Sequence, residues 1–166
     1  MEANAPLTSN IDYFDNQRTM EYRKASLNDL VLLAELFNAY RIFYKQVSNL
    51  EASKAFLKER ITNNDSEIFV GESSEGHLIG FVQLYPIFSS TKMKRLWLLN
   101  DLFVNPKYRG KGISVQLIDC AKNLAKTTES AGLILETAKS NTIGNNLYPR
   151  AGFELDQEHN YYSWEV

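Results

Sequence analysis

The stretch Asn105-Pro106-Lys107-Tyr108-Arg109-Gly110-Lys111-Gly112-Ile113-Ser114 constrains the fold of this chain more than any other. An apolar run from Leu96 to Val104 precedes it and an amphipathic run from Val115 to Leu124 follows. The predicted order is strand, basic glycine-bearing turn, helix. Amides at a helix start are unpaired donors, and the helix dipole adds positive potential there. Glycines let a ligand approach that backbone closely, and Arg109 and Lys111 add charge. The stretch reads as a cradle for a phosphate or pyrophosphate; a plain connecting turn is the competing reading. It is not a P-loop, because Gly110 and Gly112 are separated by Lys111 alone. It is not a dinucleotide fingerprint either, because Val115 stands where the third glycine would be.

The rest of the chain supplies a sheet and helices to either side of this turn. Glu21 to Lys24 suits a short first strand. Ser26 and Asp29 form a capping box ahead of a helix whose Leu30, Leu33, Phe37, Tyr40 and Tyr44 share one face. A second helix is expected from about Leu50 to Ile61, with Phe56 and Ile61 inward. Glu67 to Glu72 and His77 to Tyr85 read as a hairpin around Ser73 to Gly76, and Pro86 with Ser89-Ser90-Thr91 breaks the pattern. Lys94 to Val104 is a long strand. Val115, Ile118, Ala121, Leu124 and Ala125 mark the inner face of the next helix. Gly132 to Thr137 is an apolar strand and Asn141 to Arg150 a short helix stopped at Gly152. Phe153 to Leu155 and Tyr161 to Val166 are expected to form a final strand pair. The fold class is therefore α/β, a mixed and mostly antiparallel sheet with helices on both faces. Residues 1–19 form a polar extension and 20–166 one domain. No repeat or linker divides the chain, and 166 residues suffice for one sizeable core.

Bulk properties remove several classes of function. A net charge of −2 gives no general attraction to nucleic acid or anionic membrane. No run approaches the ~18 apolar residues of a membrane span, and no signal-peptide pattern opens the chain, so a cytoplasmic location is expected. Cys120 is the single cysteine, so no internal disulfide forms. It falls within a helical run and has no evident histidine partner, which argues against a catalytic thiol. One cysteine and two distant histidines, His77 and His159, make no metal site.

Three motifs now line up. The first is Asn100-Asp101-Leu102-Phe103-Val104, then Pro106 and Arg109-Gly110-Lys111-Gly112-Ile113-Ser114. The second is Leu135-Glu136-Thr137-Ala138-Lys139-Ser140-Asn141. The third is Asn141-Thr142-Ile143-Gly144-Asn145-Asn146-Leu147-Tyr148, followed by Ala151-Gly152-Phe153. In this order the chain from about Met20 onward resembles the GNAT superfamily of acetyl-CoA-dependent N-acetyltransferases. The Tyr40-Arg41-Ile42-Phe43-Tyr44 segment and the Asn-Asp-Leu-Phe-Val strand resemble a branch with histone- and polyamine-acetylating enzymes. Two positions depart from the family pattern: Ser114 replaces a final Gly or Ala, and Gly144 replaces an Ala.

The resemblance implies transfer of acetyl from acetyl-CoA to a primary amine of a small molecule or peptide. The amine attacks directly, with no covalent enzyme intermediate and no metal. It implies that the amides of Gly110, Lys111, Gly112, Ile113 and Ser114 take the pyrophosphate, with Arg109 at the cradle's first position. The main chain of Leu102, Phe103 and Val104 would pair with the pantetheine arm like an added strand. Val104 or its neighbour would aim an amide at the thioester oxygen. Asn141 would cap the last helix and touch the cofactor. Tyr148 would protonate the leaving thiolate, against the alternative of a core tyrosine. Glu136 would take the amine's proton, its pKa raised by burial in a strand; Asp101 and a chain of waters are alternatives. Tyr40, Phe43, Tyr44, Tyr85, Tyr161 and Tyr162 are candidates for an acceptor pocket, since aromatic faces suit a cationic amine. A non-catalytic acyl-CoA sensor or interaction module on the same fold is the alternative function. The aromatic C-terminal strand pair suggests a homodimer.

Overall fold

The computed structural model describes residues 20–166; the expected extension over residues 1–19 lies outside them. In chain order the elements are β1 (Glu21–Lys24), α1 (Leu30–Phe43), α2 (Leu50–Asn63), β2 (Glu67–Glu72), β3 (Leu78–Ser89), β4 (Lys94–Val104), α3 (Ile113–Thr127), β5 (Leu133–Ile134) and α4 (Thr142–Arg150). The strands form one sheet in the order β1-β2-β3-β4-β5. Every pairing is antiparallel except β4 with β5, which is parallel. The capping box at Ser26 and Asp29 is present. Asp29 also takes Arg23 of β1 at 2.7 Å, and Arg23 reaches Glu72 of β2 at 2.6 Å. This pairing holds the Asp29 carboxyl down at about 2.

Helices cover both faces. Leu33 and Phe37 of α1 and Leu57 of α2 pack with Val70, Phe81 and Phe103 on one side. On the other, Ile113, Leu117, Ile118 and Ala121 of α3 pack with Val82, Leu84, Trp97 and Leu99. α3 sits close to the sheet because position 80 has no side chain. A Cβ on Gly80 would lie 2.9 Å from the Phe103 carbonyl oxygen and 3.1 Å from Leu117. Phe56 and Ile61 are half-buried against the α1 side, while Val115, expected inside, is 39% exposed. The inner face of α3 begins at Ile113 instead.

A bulge decides the shape of β4. Gln83 pairs with Asp101 but Leu84 pairs with Leu99, so Asn100 is an extra residue opposite β3. An extra residue bends a strand and resets which side chains face each way. Trp97 and Leu99 point to α3, and so do Leu102 and Val104, while Phe103 turns to the α1 side. Asp101 goes with Phe103, meeting Tyr40 of α1. β5 follows β4 only through Trp97↔Leu133 and Leu98↔Ile134. The expected strand from Gly132 to Thr137 therefore stops at Ile134, because β4 bends away from it past the bulge. Beyond that point β4 has an open edge.

Two further expectations are corrected. Pro86 does not break β3, which runs on to Ser89 paired with β4. Pairing with β2 ends at Leu84, so Pro86 lies where β3 has a neighbour on one side only and its missing N–H is tolerated. The final strand pair does not form: residues from Phe153 to Val166 contain no strand, and Tyr161, Tyr162 and Trp164 are 79%, 83% and 85% exposed. No helix of the described residues is long and apolar enough to cross a membrane.

Candidate active site

The open edge of β4, the glycine turn and the start of α4 enclose one cleft with a volume of about 370 Å³, within the usual size of a small-molecule site. Leu102, Phe103 and Val104 form its strand wall. Arg109, Gly110, Gly112, Ile113 and Ser114 form the cradle end. Asn141 and Tyr148 come from the α4 side. Of the residues expected at the cofactor site, Lys111 alone is outside this lining. It is exposed, with its ammonium 5.5 Å from the Tyr108 ring.

The cradle has the backbone that glycine is needed for. Gly110 and Gly112 have φ of 78° and 77°, and beyond its immediate chain neighbours no atom lies within 4 Å of where either Cβ would be. Both glycines therefore face open space at the end of the cleft. Gly112 is the residue before α3 and has no side chain to cap it; the Val115 amide turns back to the Gly112 carbonyl at 3.0 Å, so the uncapped donors at this helix start are the amides of Ile113 and Ser114.

The strand wall presents main-chain groups. The Val104 carbonyl accepts a hydrogen bond from Arg109 Nε at 3.1 Å, whereas the Asn105 amide turns the other way, to the Ile79 carbonyl at 2.9 Å. Residues alternate along a strand, so the groups of Val104 and Leu102 face the cleft. The Arg109 guanidinium lies 5.2 Å from the Phe43 ring and 5.7 Å from the Phe103 ring. It folds back over the strand rather than outward to the glycines.

Asn141 caps α4. Its Oδ1 accepts from the Gly144 amide at 3.1 Å, and its Nδ2 donates to Thr137 Oγ1 at 2.9 Å. Tyr148 is half-buried against Phe153, ring centroids 5.9 Å apart. Burial, and then Tyr44, push its phenol up, so it holds its proton at neutral pH. Phe43 and Tyr44 also line the cleft. Tyr108, Ile143 and Leu147 line it too; they lie within the quoted stretches, but being apolar or aromatic they were given no role of their own from the sequence.

Glu136 stands apart. It is exposed, lies past the end of β5 and is not part of the cleft wall. The expected burial in a strand is absent because that strand ends at Ile134. The buried carboxyl on β4, next to the strand wall, is Asp101, 6% exposed. Its pKa is raised by burial, against hydrogen bonds from Tyr40 and Asn100. Cys120 is on α3 outside the cleft wall, and burial pushes its thiol up. Among the described residues no three His, Cys, Asp or Glu side chains gather closely enough to hold a metal.

An anion cradle at a helix start, an open strand edge and a protonated phenol in one cleft suit a phosphate-tailed acyl donor. Comparison with known proteins decides the matter: residues 33–153 match the acetyltransferase (GNAT) family. The chain belongs to the GNAT family of acetyltransferases. This GNAT protein is an enzyme that transfers acetyl from acetyl-CoA. It is 43% identical over 147 residues to the uncharacterized N-acetyltransferase YhfO of Bacillus subtilis, an alignment covering 89% of this chain and 98% of that one. The crystal structure of a probable acetyltransferase superposes with a TM-score of 0.84 at 36% identity, over 88% of this chain and 97% of the other. A predicted acetyltransferase from Clostridium acetobutylicum, solved with acetyl-CoA, shares the fold at a TM-score of 0.71 and 22% identity, covering 87% and 96% of the two chains.

Proposed function

We propose that this enzyme moves the acetyl group to a primary amine of a small molecule or peptide by direct attack, without an acyl-enzyme. The observation that carries this reading is the convergence of the open β4 edge, the glycine cradle and Tyr148 on one cleft. The amides from Gly110 to Ser114 take the pyrophosphate at the start of α3. The pantetheine arm pairs with Leu102 to Val104 as an added strand, displacing Arg109 from the Val104 carbonyl. Freed from that contact, Arg109 is beside the cradle and able to neutralise phosphate charge. The Val104 amide polarises the thioester carbonyl. Tyr148 hydrogen-bonds the sulfur and gives it a proton as it leaves. Cys120 has neither the position nor the ionisation for a covalent intermediate. We also propose a homodimer, on the evidence of the exposed C-terminal aromatics.

The test is release of CoA thiol from acetyl-CoA on adding a panel of polyamines, amino acids, aminoglycosides and peptide N-termini. Saturable release with at least one primary amine is expected. Tight acetyl-CoA binding with no amine-dependent release across the panel would overturn the acceptor class.

A further inference from the structure

Across the sheet from α3, below the α1 side of the cleft, lies a polar cluster with no part in donor binding. Asp101 projects there because the Asn100 bulge turns it away from α3. Tyr40 of α1 stands against it, so that the Tyr40 hydroxyl lowers the Asp101 carboxyl in opposition to burial. Gln83, directly opposite Asp101 in register on β3, is fully buried, and its Oε1 has no partner. Its Nε2 donates to Ser66 Oγ and to Tyr85 Oη, each at 3.0 Å. Burying a carboxyl and an unpartnered amide oxygen costs stability, so packing alone does not account for the arrangement.

Tyr40 connects this cluster to the cleft. Its ring is 5.0 Å from Tyr44 and 5.9 Å from Phe103, both in the cleft wall. Burial first, then Asp101, pushes its phenol up, with Tyr44 and Tyr148 of the cleft wall adding to the effect.

We propose that Tyr40 and Asp101 form the relay that deprotonates the acceptor amine, a proposal resting on the transferase reading above. An ammonium N–H proton passes to the Tyr40 oxygen as the Tyr40 hydroxyl proton passes to the Asp101 carboxylate. The neutral amine then attacks the thioester carbonyl, forming the C–N bond. The C–S bond breaks, Tyr148 protonates the thiolate, and the nitrogen's second proton restores Tyr148. Asp101 returns its proton to solvent, so one proton is released per turnover. Burial raises the Asp101 carboxyl and so brings it closer to the amine it must relieve. The groups facing the pair are Tyr44 and Tyr148 toward Tyr40, Tyr85 and Gln83 on β3, and Asn100 beside Asp101. Burial first, then Asp101, pushes Tyr85 up to about 12, with Arg60 and Asp65 acting on it in opposite directions. Tyr85 and Tyr148, both pushed up first by burial, stay neutral at working pH, leaving Asp101 as the group that titrates.

The test compares two small amines of similar shape under saturating acetyl-CoA at pH 7, with the full chain. Ethylamine is an ammonium at that pH and needs a base, whereas 2,2,2-trifluoroethylamine is already neutral. Asp101→Asn is expected to slow ethylamine acetylation about 100-fold, the low end of a lost acid–base step, while trifluoroethylamine acetylation holds within about threefold. Tyr40→Phe should give the same split. Equal losses with both amines, or none with either, would overturn the relay. As a readout independent of turnover, carboxyl carbon NMR of the acetyl-CoA complex should show one aspartate titrating above the ordinary carboxylate range and absent in Asp101→Asn. A normal titration there also overturns it. Wild-type turnover of neither amine, despite that NMR signature, overturns the transferase reading instead.

Discussion

Gly144 stands where the family pattern has alanine, and at a helix interior glycine costs roughly 1 kcal/mol against alanine. The geometry explains its presence. A Cβ there would lie 2.6 Å from Asn141 Nδ2 and 3.2 Å from Thr137 Oγ1, so the cap needs the space. Gly144→Ala gains propensity but dislodges a cap worth about 1 kcal/mol, and the two terms nearly cancel. Unfolding by denaturant is therefore expected to show little change in the wild-type background. In an Asn141→Ala background, where no cap remains to lose, the same substitution should stabilise by roughly 1 kcal/mol. Equal effects in both backgrounds would show that Asn141 does not depend on the glycine. Tyr148 carries a sharper prediction. Removing its hydroxyl in Tyr148→Phe takes away the proton donor but keeps the ring against Phe153. kcat should fall by about 100-fold or more while the dissociation constant for acetyl-CoA, read by calorimetry, stays unchanged. A variant that turns over at the wild-type rate removes Tyr148 from the reaction.

Among elements, β4 shows what sequence could and could not disclose. The cradle after it was legible because its signals are local: two glycines in positive φ and a helix start. The bulge within β4 was not. Leu96 to Leu99 and Leu102 to Val104 are apolar at every position, so no alternation marks the slip at Asn100. From that slip follow the short β5, the open edge, the exposure of Glu136 and the burial of Asp101. Each depends on pairing between strands or on α1 overhead, not on neighbours in sequence. Gly80 ties this geometry to α3, since it pairs with Val104 and lies under Ile113 and Leu117. Gly80→Ala must move either the helix or the Phe103 carbonyl. Overpacking of this kind costs about 1–3 kcal/mol, measurable as a lower denaturation midpoint. Because the displaced backbone is the cleft wall, acetyl-CoA affinity should fall as well. A variant of wild-type stability would mean that α3 has slack against the sheet.

At the scale of the whole molecule, the C-terminal segment is out of balance with the rest. Leu155, Tyr161, Tyr162 and Trp164 are each at least 79% exposed, and β5 ends the sheet with a free outer edge. Clustered exposed aromatics and free edges are features of interfaces. A second copy of the chain brings the same aromatic segment and the same edge, and two copies can satisfy both by a closed two-fold exchange. A stable pairing needs about 1,200–2,000 Å² of buried surface in total, which four large side chains per chain, with their backbone, help to supply. The two tryptophans report on this separately. Trp97 is 2% exposed and bonded through Nε1 to Thr128 Oγ1 at 2.9 Å, while Trp164 is 85% exposed. Association should therefore shift only the Trp164 emission to the blue, and dilution should reverse it. Sedimentation is expected to give twice the 19.0 kDa chain mass. The Tyr162→Ser, Trp164→Ser double variant should sediment as a monomer with unchanged helical circular dichroism, since neither residue packs on a core. A wild-type chain that sediments at the single mass, with emission independent of concentration, would remove the dimer and leave the aromatic segment for another partner.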